Sequence, residues 1–137
     1  MADSGAVEGE TETRKAKNVL IVDDEAATRA LLKATIEGLS IPCVISEAAD
    51  GDTAIEIARR TRPDLVLLDI VLPGSSTSGV LVCQELCKDS RTTVVIVSGQ
   101  AVDSVLNACL SAGATDHVRK PFSVEQMREK IAGWLGD

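Results

Sequence analysis

The sequence contains almost no aromatic side chains: its 137 residues include one Phe, one Trp and no Tyr. Aromatic rings are the surfaces on which unpaired bases stack, so the chain offers little to a single-stranded nucleic acid. Its formal net charge of −7 also repels nucleic-acid phosphates. We therefore predict that it does not bind nucleic acid directly.

Residues that commonly bind zinc are few and badly spaced. The four cysteines are Cys43, Cys83, Cys87 and Cys109, and no two of them form a C-x-x-C pair. The only histidine, His117, does not lie at metal-ligand spacing from any of them. We interpret the cysteines as small buried hydrophobic residues.

Long apolar runs are missing as well. The apolar runs at 19–22, 65–68 and 94–97 fall far short of the roughly 20 residues that a membrane-spanning helix needs. Residues 1–17 lack the apolar core of a secretory signal and show no periodicity, which is typical of a solvated tail. We predict a flexible tail over 1–17, one folded domain over 18–137, and a cytoplasmic location without membrane insertion.

The sequence does have a regular alternation, from Asn18 onward, of short β-branched runs and longer segments of helical period. Three of the runs are continuously apolar, which is typical of central strands in a parallel sheet that helices cover on both faces. The predicted strands are 19–23, 42–46, 65–69, 94–98 and 115–119, and the predicted helices are 26–38, 52–60, 79–88, 102–112 and 123–135. This order predicts a doubly wound α/β domain with five strand–helix units.

Polar residues follow the predicted strands at their carboxyl ends, where sheets of this kind have their binding crevice. Asp23 and Asp24 follow the first strand, Asp69 the third, Ser98 the fourth and Lys120 the fifth. Each alone has an ordinary explanation as a helix cap, a turn residue or a solvated lysine. Together they indicate a site, because clustered carboxylates repel one another unless a cation such as Mg²⁺ neutralises them. One carboxylate could then attack a phosphorus centre while the metal and the lysine absorb charge.

Around these residues, an ordered set of motifs resembles the receiver domain of two-component response regulators, over about residues 18 to 135. The motifs are Val19-Leu20-Ile21-Val22-Asp23-Asp24-Glu25, Pro63-Asp64-Leu65-Val66-Leu67-Leu68-Asp69, Leu72-Pro73, Val97-Ser98-Gly99, Gly113-Ala114 and Lys120-Pro121-Phe122. The resemblance implies a flavodoxin-like fold, in which a doubly wound five-stranded parallel sheet of order 2-1-3-4-5 carries five helices.

For the acidic residues, the resemblance implies a division of roles. Asp69 would be the phosphoacceptor, receiving a phosphoryl group from a phosphohistidine donor. The cofactor would be Mg²⁺, ligated by Asp24 and Asp69, by Asp23 through water, and by the backbone carbonyl of Val71.

Residues after the fourth strand and near the fifth also receive roles from the resemblance. Ser98 would be the switch hydroxyl, and it would bind the phosphate together with Gly99 and Lys120. His117 occupies the signalling switch position, where family members usually have Tyr or Phe. Because an imidazole changes its charge near neutral pH, we hypothesise that the output is pH-sensitive. The Lys120-Pro121 peptide bond is expected to be cis, which only an X-Pro bond reaches at modest cost.

The sequence departs from the family pattern close to Asp69. The glycine that usually follows Pro73 by four positions comes two residues later here, so we expect the loop over 74–79 to be reshaped. Val71 and Gln100 would flank the route by which water reaches the phosphoryl group, and we expect them to tune its lifetime.

The resemblance implies a phosphorylation-controlled signalling switch rather than an enzyme, catalysing only its own phosphorylation and dephosphorylation. Its donor would be a sensor histidine kinase or a histidine phosphotransfer protein, and a downstream protein would bind the face formed by 101–135. The chain would act as a monomer or as a phosphorylation-dependent dimer. We expect either a stand-alone receiver or a receiver fragment of a longer regulator with an output domain.

Three other functions fit parts of the sequence. A nucleotide-binding enzyme would use Gly74 and Gly79 as a P-loop, but Val80 and Leu81 stand where a P-loop needs Lys and Ser or Thr. A metal-dependent phosphatase would resemble its relatives in having a second acid two positions after the nucleophile, where this chain has Val71. The third is a phosphorylation-independent interaction module, which would have no need of clustered carboxylates.

Overall fold

The computed structural model describes residues 16–72 and 78–136, which form five parallel strands alternating with five helices. The strands are β1 (Lys17–Val22), β2 (Cys43–Ala48), β3 (Leu65–Leu68), β4 (Thr93–Ser98) and β5 (Asp116–Arg119). The helices are α1 (Ala26–Glu37), α2 (Gly51–Thr61), α3 (Gly79–Leu86), α4 (Asp103–Ala112) and α5 (Val124–Trp134). Residues 1–15 of the predicted tail and residues 74–77 of the predicted loop over 74–79 lie outside the described residues.

The order of the strands in the sheet is β2-β1-β3-β4-β5, and every neighbouring pair is parallel. The predicted flavodoxin-like fold is therefore confirmed. The first strand begins at Lys17, two residues before its predicted start, because Lys17 pairs with Cys43 and its N–H donates to the carbonyl of Pro42 across 2.9 Å.

Alternate residues of the central strands face opposite sides of the sheet and build two separate cores. On one side, residues such as Leu20 and Val66 pack with α2, α3 and α4, and on the other, residues such as Ile21 and Leu67 pack with α1 and α5. This two-sided burial explains the continuously apolar runs in the sequence.

Two of the four cysteines are fully buried, as expected for small hydrophobic residues. Cys83 and Cys109 are in the core beneath α3 and α4, and burial raises the pKa of both thiols. Cys43 and Cys87 are only partly buried. All four are free thiols.

Where α3 begins, Gly79 presses against the chain leaving β3. A Cβ atom at this position would lie 2.0 Å from the carbonyl oxygen of Ile70, so only glycine fits there. The helix is capped by Ser78, whose side chain accepts a hydrogen bond from the Leu81 N–H across 3.3 Å. These contacts hold the start of α3 against Ile70, the residue after Asp69.

Among the described residues, no helix combines the length and the apolar character needed to cross a membrane.

Candidate functional site

Three aspartates meet at the carboxyl edge of the sheet. Asp23 and Asp24 come directly after β1 and Asp69 after β3, and these two strands are neighbours. One carboxylate oxygen of each residue lies within 4.8 Å of those of the other two. Asp23 and Asp69 are buried, with relative exposures of 1% and 6%, whereas Asp24 is exposed. The predicted clustering of these side chains is therefore present in the structure.

Backbone amides and a lysine hold the two buried carboxylates. Oδ1 of Asp23 accepts a hydrogen bond from the Glu25 N–H, and Oδ1 of Asp69 accepts one from the Val71 N–H, each across 2.9 Å. The other oxygens face Lys120, whose Nζ lies 2.6 Å from Oδ2 of Asp23 and 3.2 Å from Oδ2 of Asp69. Lys120 therefore joins the ends of β1 and β3.

The charges of this cluster influence one another. Burial raises the pKa of the Asp69 carboxyl, and the Val71 N–H and Lys120 oppose this effect without cancelling it. Burial acts to lower the pKa of Lys120, but the hydrogen bond to Asp23 and the charge of Asp69 outweigh it and raise that pKa. The lysine is therefore held as an ammonium, and one positive charge faces three carboxyl groups.

This donor set fits Mg²⁺. It consists of oxygen atoms alone, and a divalent cation would neutralise the charge that Lys120 leaves uncompensated. The carboxylates border a cavity of about 260 Å³ at the sheet edge. The residues that line this cavity are Asp24, Glu25, Asp69, Val71, Ser98, Gly99, Gln100 and Lys120.

Ser98 ends β4, the strand beside β3, and lines the same cavity. It is 2% exposed, and its Oγ has no hydrogen-bond partner within the part of the chain that the structure describes. A buried hydroxyl without a partner is unfavourable, so such a group calls for an explanation. The next residue, Gly99, lies close to Lys120: a Cβ on Gly99 would be 3.4 Å from the Cβ of Lys120.

His117 and Pro121 lie beside the cavity rather than in its lining. His117 is partly buried on β5, and its Nε2 lies 3.4 Å from the carbonyl oxygen of Ser98. The imidazole therefore contacts the backbone of Ser98 rather than its hydroxyl. The Lys120-Pro121 peptide bond is cis.

Sequence reasoning missed Arg29, which lies in the first turns of α1. Its Nη1 donates to the carbonyl oxygen of Asp23 across 2.7 Å, and its Nε donates to Oε1 of Glu47 across 3.0 Å. A signal was available, because an arginine early in the helix after the Asp23-Asp24 pair can reach back to the loop. Its pairing with Glu47 depends on how α1 packs on β2.

A parallel sheet of this order, with carboxylates, a lysine and a hydroxyl at its carboxyl edge, has the architecture of CheY-like receiver domains. Residues 19–132 match the family model described as the response regulator receiver domain. The chain therefore belongs to this family, as the sequence motifs predicted.

Individual relatives agree with this assignment. The DNA-binding response regulator MtrA of Mycobacterium tuberculosis is 34% identical over 121 residues, which cover 87% of this chain and 50% of MtrA. The CheY-like receiver domain protein of Methanospirillum hungatei has a TM-score of 0.80 at 26% identity, covering 88% of this chain and 94% of that one. The NtrX receiver domain of Brucella abortus has a TM-score of 0.75 at 30% identity, covering 85% of this chain and 97% of that one.

The chain spans about half the length of the curated relatives that it matches. MtrA is a DNA-binding response regulator, and the present chain matches about half of its length. The absence of direct nucleic-acid binding by this chain stays a prediction.

Proposed function

We propose that this receiver domain is a Mg²⁺-dependent switch that accepts a phosphoryl group from a phosphohistidine onto Asp69. The observation that carries the proposal is the shared cavity of about 260 Å³, in which Asp69 faces Lys120 beside the Ser98 hydroxyl, which has no partner among the described residues. A carboxylate, an ammonium and a hydroxyl donor are the groups needed to receive a phosphoryl group and then to bind it.

Of the three aspartates, Asp69 is best placed to act as the nucleophile. Asp23 is buried but does not line the cavity, so an incoming phosphoryl group would not reach it. Asp24 lines the cavity but is exposed to water, which weakens a carboxylate as a nucleophile. Asp69 is both buried and part of the lining.

In the proposed step, a carboxylate oxygen of Asp69 bonds to phosphorus as the bond from phosphorus to the donor imidazole breaks. The electron pair of that bond returns to the imidazole nitrogen. We propose that Asp24 and Asp69 hold Mg²⁺ directly, Asp23 through water, and that the backbone carbonyl of Val71 completes the protein ligands. A bound Mg²⁺ would neutralise part of the negative charge on the phosphoryl oxygens. Lys120 contributes a second positive charge from the protein itself.

The product would draw the neighbouring groups toward Asp69. A phosphoryl group adds about two negative charges, which attract the Lys120 ammonium and offer the Ser98 hydroxyl its missing acceptor. Movement of Ser98 would carry Gly99 with it and would disturb the contact between the Ser98 carbonyl and His117. We therefore propose that His117 transmits the change, with a pH-sensitive output, to the protein-binding face over 101–135.

The proposed partners follow from this chemistry. Family members interact with histidine kinases or phosphotransfer proteins, and one of these would be the donor here. The chain would catalyse only its own phosphorylation and dephosphorylation, and would signal by binding a downstream protein as a monomer or as a phosphorylation-dependent dimer. Because the curated relatives are about twice as long, the alternative is a receiver portion of a longer regulator.

Intact-mass analysis tests the proposal. The parent, Asp69→Asn and the control Asp103→Asn, an exposed residue of α4, are each incubated with acetyl phosphate, with Mg²⁺ or with a chelator. We expect a single phosphoryl adduct on the parent and on Asp103→Asn only when Mg²⁺ is present, and none on Asp69→Asn. An adduct of equal yield on Asp69→Asn, or none on the parent, would contradict the proposal.

A further inference from the structure

Arg29 of α1 connects the loop after β1 to the edge strand β2. Its Nη1 donates to the carbonyl oxygen of Asp23 across 2.7 Å, while its Nε donates to Oε1 of Glu47 across 3.0 Å. The Arg29 side chain is 19% exposed and that of Glu47 38%. A guanidinium holds its donors in a rigid plane, so two contacts in different directions fix its orientation.

The peptide group that Arg29 contacts is the one that links Asp23 to Asp24. Its carbonyl belongs to Asp23 and its N–H to Asp24, so fixing the carbonyl fixes the direction in which the chain enters Asp24. On the Asp23 side, the Asp23 N–H donates to the carbonyl of Ala48 across 3.0 Å, and Oδ1 of Asp23 accepts from the Glu25 N–H. Asp23 is thus anchored independently of Arg29.

The side chain of Asp24 has no such anchor. Its carboxylate is exposed and has no hydrogen-bond partner among residues 16–72 and 78–136. The peptide group after Asp24 is held by the Glu25 N–H, which donates to Oδ1 of Asp23, and the peptide group before it is the one that Arg29 contacts. The placement of the Asp24 carboxylate next to Asp23 and Asp69 therefore depends on the backbone that carries it.

We propose that Arg29 is a positioning residue for the metal site, acting through the Asp23-Asp24 peptide, and that Glu47 keeps Arg29 in place. The inference rests on the proposed function, because it assigns Arg29 to the Mg²⁺ site of that function. Glu47 also neutralises the guanidinium, so that a positive charge near the three aspartates does not compete with a bound cation.

The chain offers a matched control at another place. Nη2 of Arg59 on α2 lies 3.0 Å from Oε2 of Glu85 on α3, the same separation as in the Arg29–Glu47 pair. Neither of these residues lines the cavity at Asp69. Arg59→Ala therefore removes an ion pair between two elements without touching the loop after β1.

The test measures the Mg²⁺ dissociation constant by calorimetry, and the rate of phosphorylation by acetyl phosphate as a function of Mg²⁺ concentration. In Arg29→Ala we expect the Mg²⁺ dissociation constant and the half-saturating Mg²⁺ concentration to rise about tenfold, as for other supporting partners of metal ligands. The maximal rate at saturating Mg²⁺ should stay within about twofold, because Asp69 and Lys120 are unchanged. Arg29→Lys retains one donor for the Asp23 carbonyl and should recover part of the affinity. Glu47→Gln keeps an oxygen acceptor, so its Mg²⁺ dissociation constant should lie between those of the parent and of Arg29→Ala.

Three results would overturn the inference. One is an Arg29→Ala variant with the Mg²⁺ affinity of the parent. Another is an Arg59→Ala variant that weakens Mg²⁺ binding as much as Arg29→Ala does. The third is a loss of maximal rate in Arg29→Ala, Arg29→Lys and Glu47→Gln alike at unchanged Mg²⁺ affinity. A parent protein that neither binds Mg²⁺ nor forms an adduct would instead refute the proposed function, and this inference with it.

Discussion

Lys120 donates a hydrogen bond from its Nζ to Oδ2 of Asp69 across 3.2 Å, although the strands that precede the two residues are not neighbours. Lys120 follows β5 and Asp69 follows β3, so the lysine side chain passes the end of β4, where Ser98 is located. Ser98 therefore lies near both Asp69, which would carry the phosphoryl group, and Lys120, which would bind it.

Removing the Lys120 ammonium should destabilise the protein. Lys120→Met leaves two buried carboxylates without their cation, and we expect the free energy of unfolding to fall by about 2 kcal/mol at neutral pH. Lys130→Met is the control, because Lys130 is 3.9 Å from Asp116 and about half exposed, and its loss should cost less than about 0.5 kcal/mol. Denaturant unfolding measures both changes.

The same pair gives the stability a pH dependence. The pKa of Lys120 is raised in the folded protein, so the stabilisation is fully present below the ordinary lysine value of 10.5. It should be lost as the pH rises from that value through the raised pKa. Unfolding measured from about pH 8 into this range should show a loss of stability in the parent that is absent from Lys120→Met. Parallel curves for the two proteins would refute this prediction.

Gly79 should not tolerate a side chain. In Gly79→Ala the new Cβ meets the Ile70 carbonyl oxygen at 2.0 Å, so the start of α3 must shift away from the residue after Asp69. We expect a loss of about 2 kcal/mol in the free energy of unfolding, measured by denaturant unfolding, and slower phosphorylation. Gly133→Ala is the control, because its Cβ position in α5 meets no described atom within 4 Å beyond the local backbone of that helix. Alanine there should stabilise the helix by about 0.5 to 1 kcal/mol. Equal stability of the two variants would contradict the prediction.

Val71 should influence how long the phosphoryl group survives. Its side chain is 38% exposed and lines the cavity at Asp69, but it cannot hydrogen-bond to an attacking water. In Val71→Asn an amide can orient that water, and we expect the phosphorylated protein to lose its phosphoryl group about tenfold faster. Val102→Asn, a change at an exposed valine that does not line the cavity, serves as the control. Decay curves that coincide for Val71→Asn and the parent would exclude this role.

Much of this site could be predicted because of how parallel sheets are built. Continuously apolar runs marked the central strands, and the carboxyl ends of parallel strands meet at one edge, so Asp23, Asp69 and Ser98 had to lie close together. Contacts that depend on packing between elements left no such pattern. To predict that Arg29 pairs with Glu47, one would need to know the distance between α1 and β2, which the sequence does not give.

Two further features of the site could not be predicted from the sequence. The close approach of Gly79 to Ile70 depends on the path of the chain between β3 and α3, which the spacing of a glycine does not reveal. That the Ser98 hydroxyl has no partner in the described part of the chain can be seen only once the donors and acceptors around it have been placed.

Identification of the phosphorylated residue is the most direct test of phosphoryl transfer to Asp69. The protein is phosphorylated by a phosphohistidine-bearing donor in the presence of Mg²⁺, treated with borohydride, which reduces an aspartyl phosphate to homoserine, and sequenced by tandem mass spectrometry of its peptides. We predict homoserine at position 69 and an unmodified aspartate at positions 23 and 24. Homoserine at position 23 or 24, or at no position in a protein that carried a phosphoryl group, would contradict the assignment.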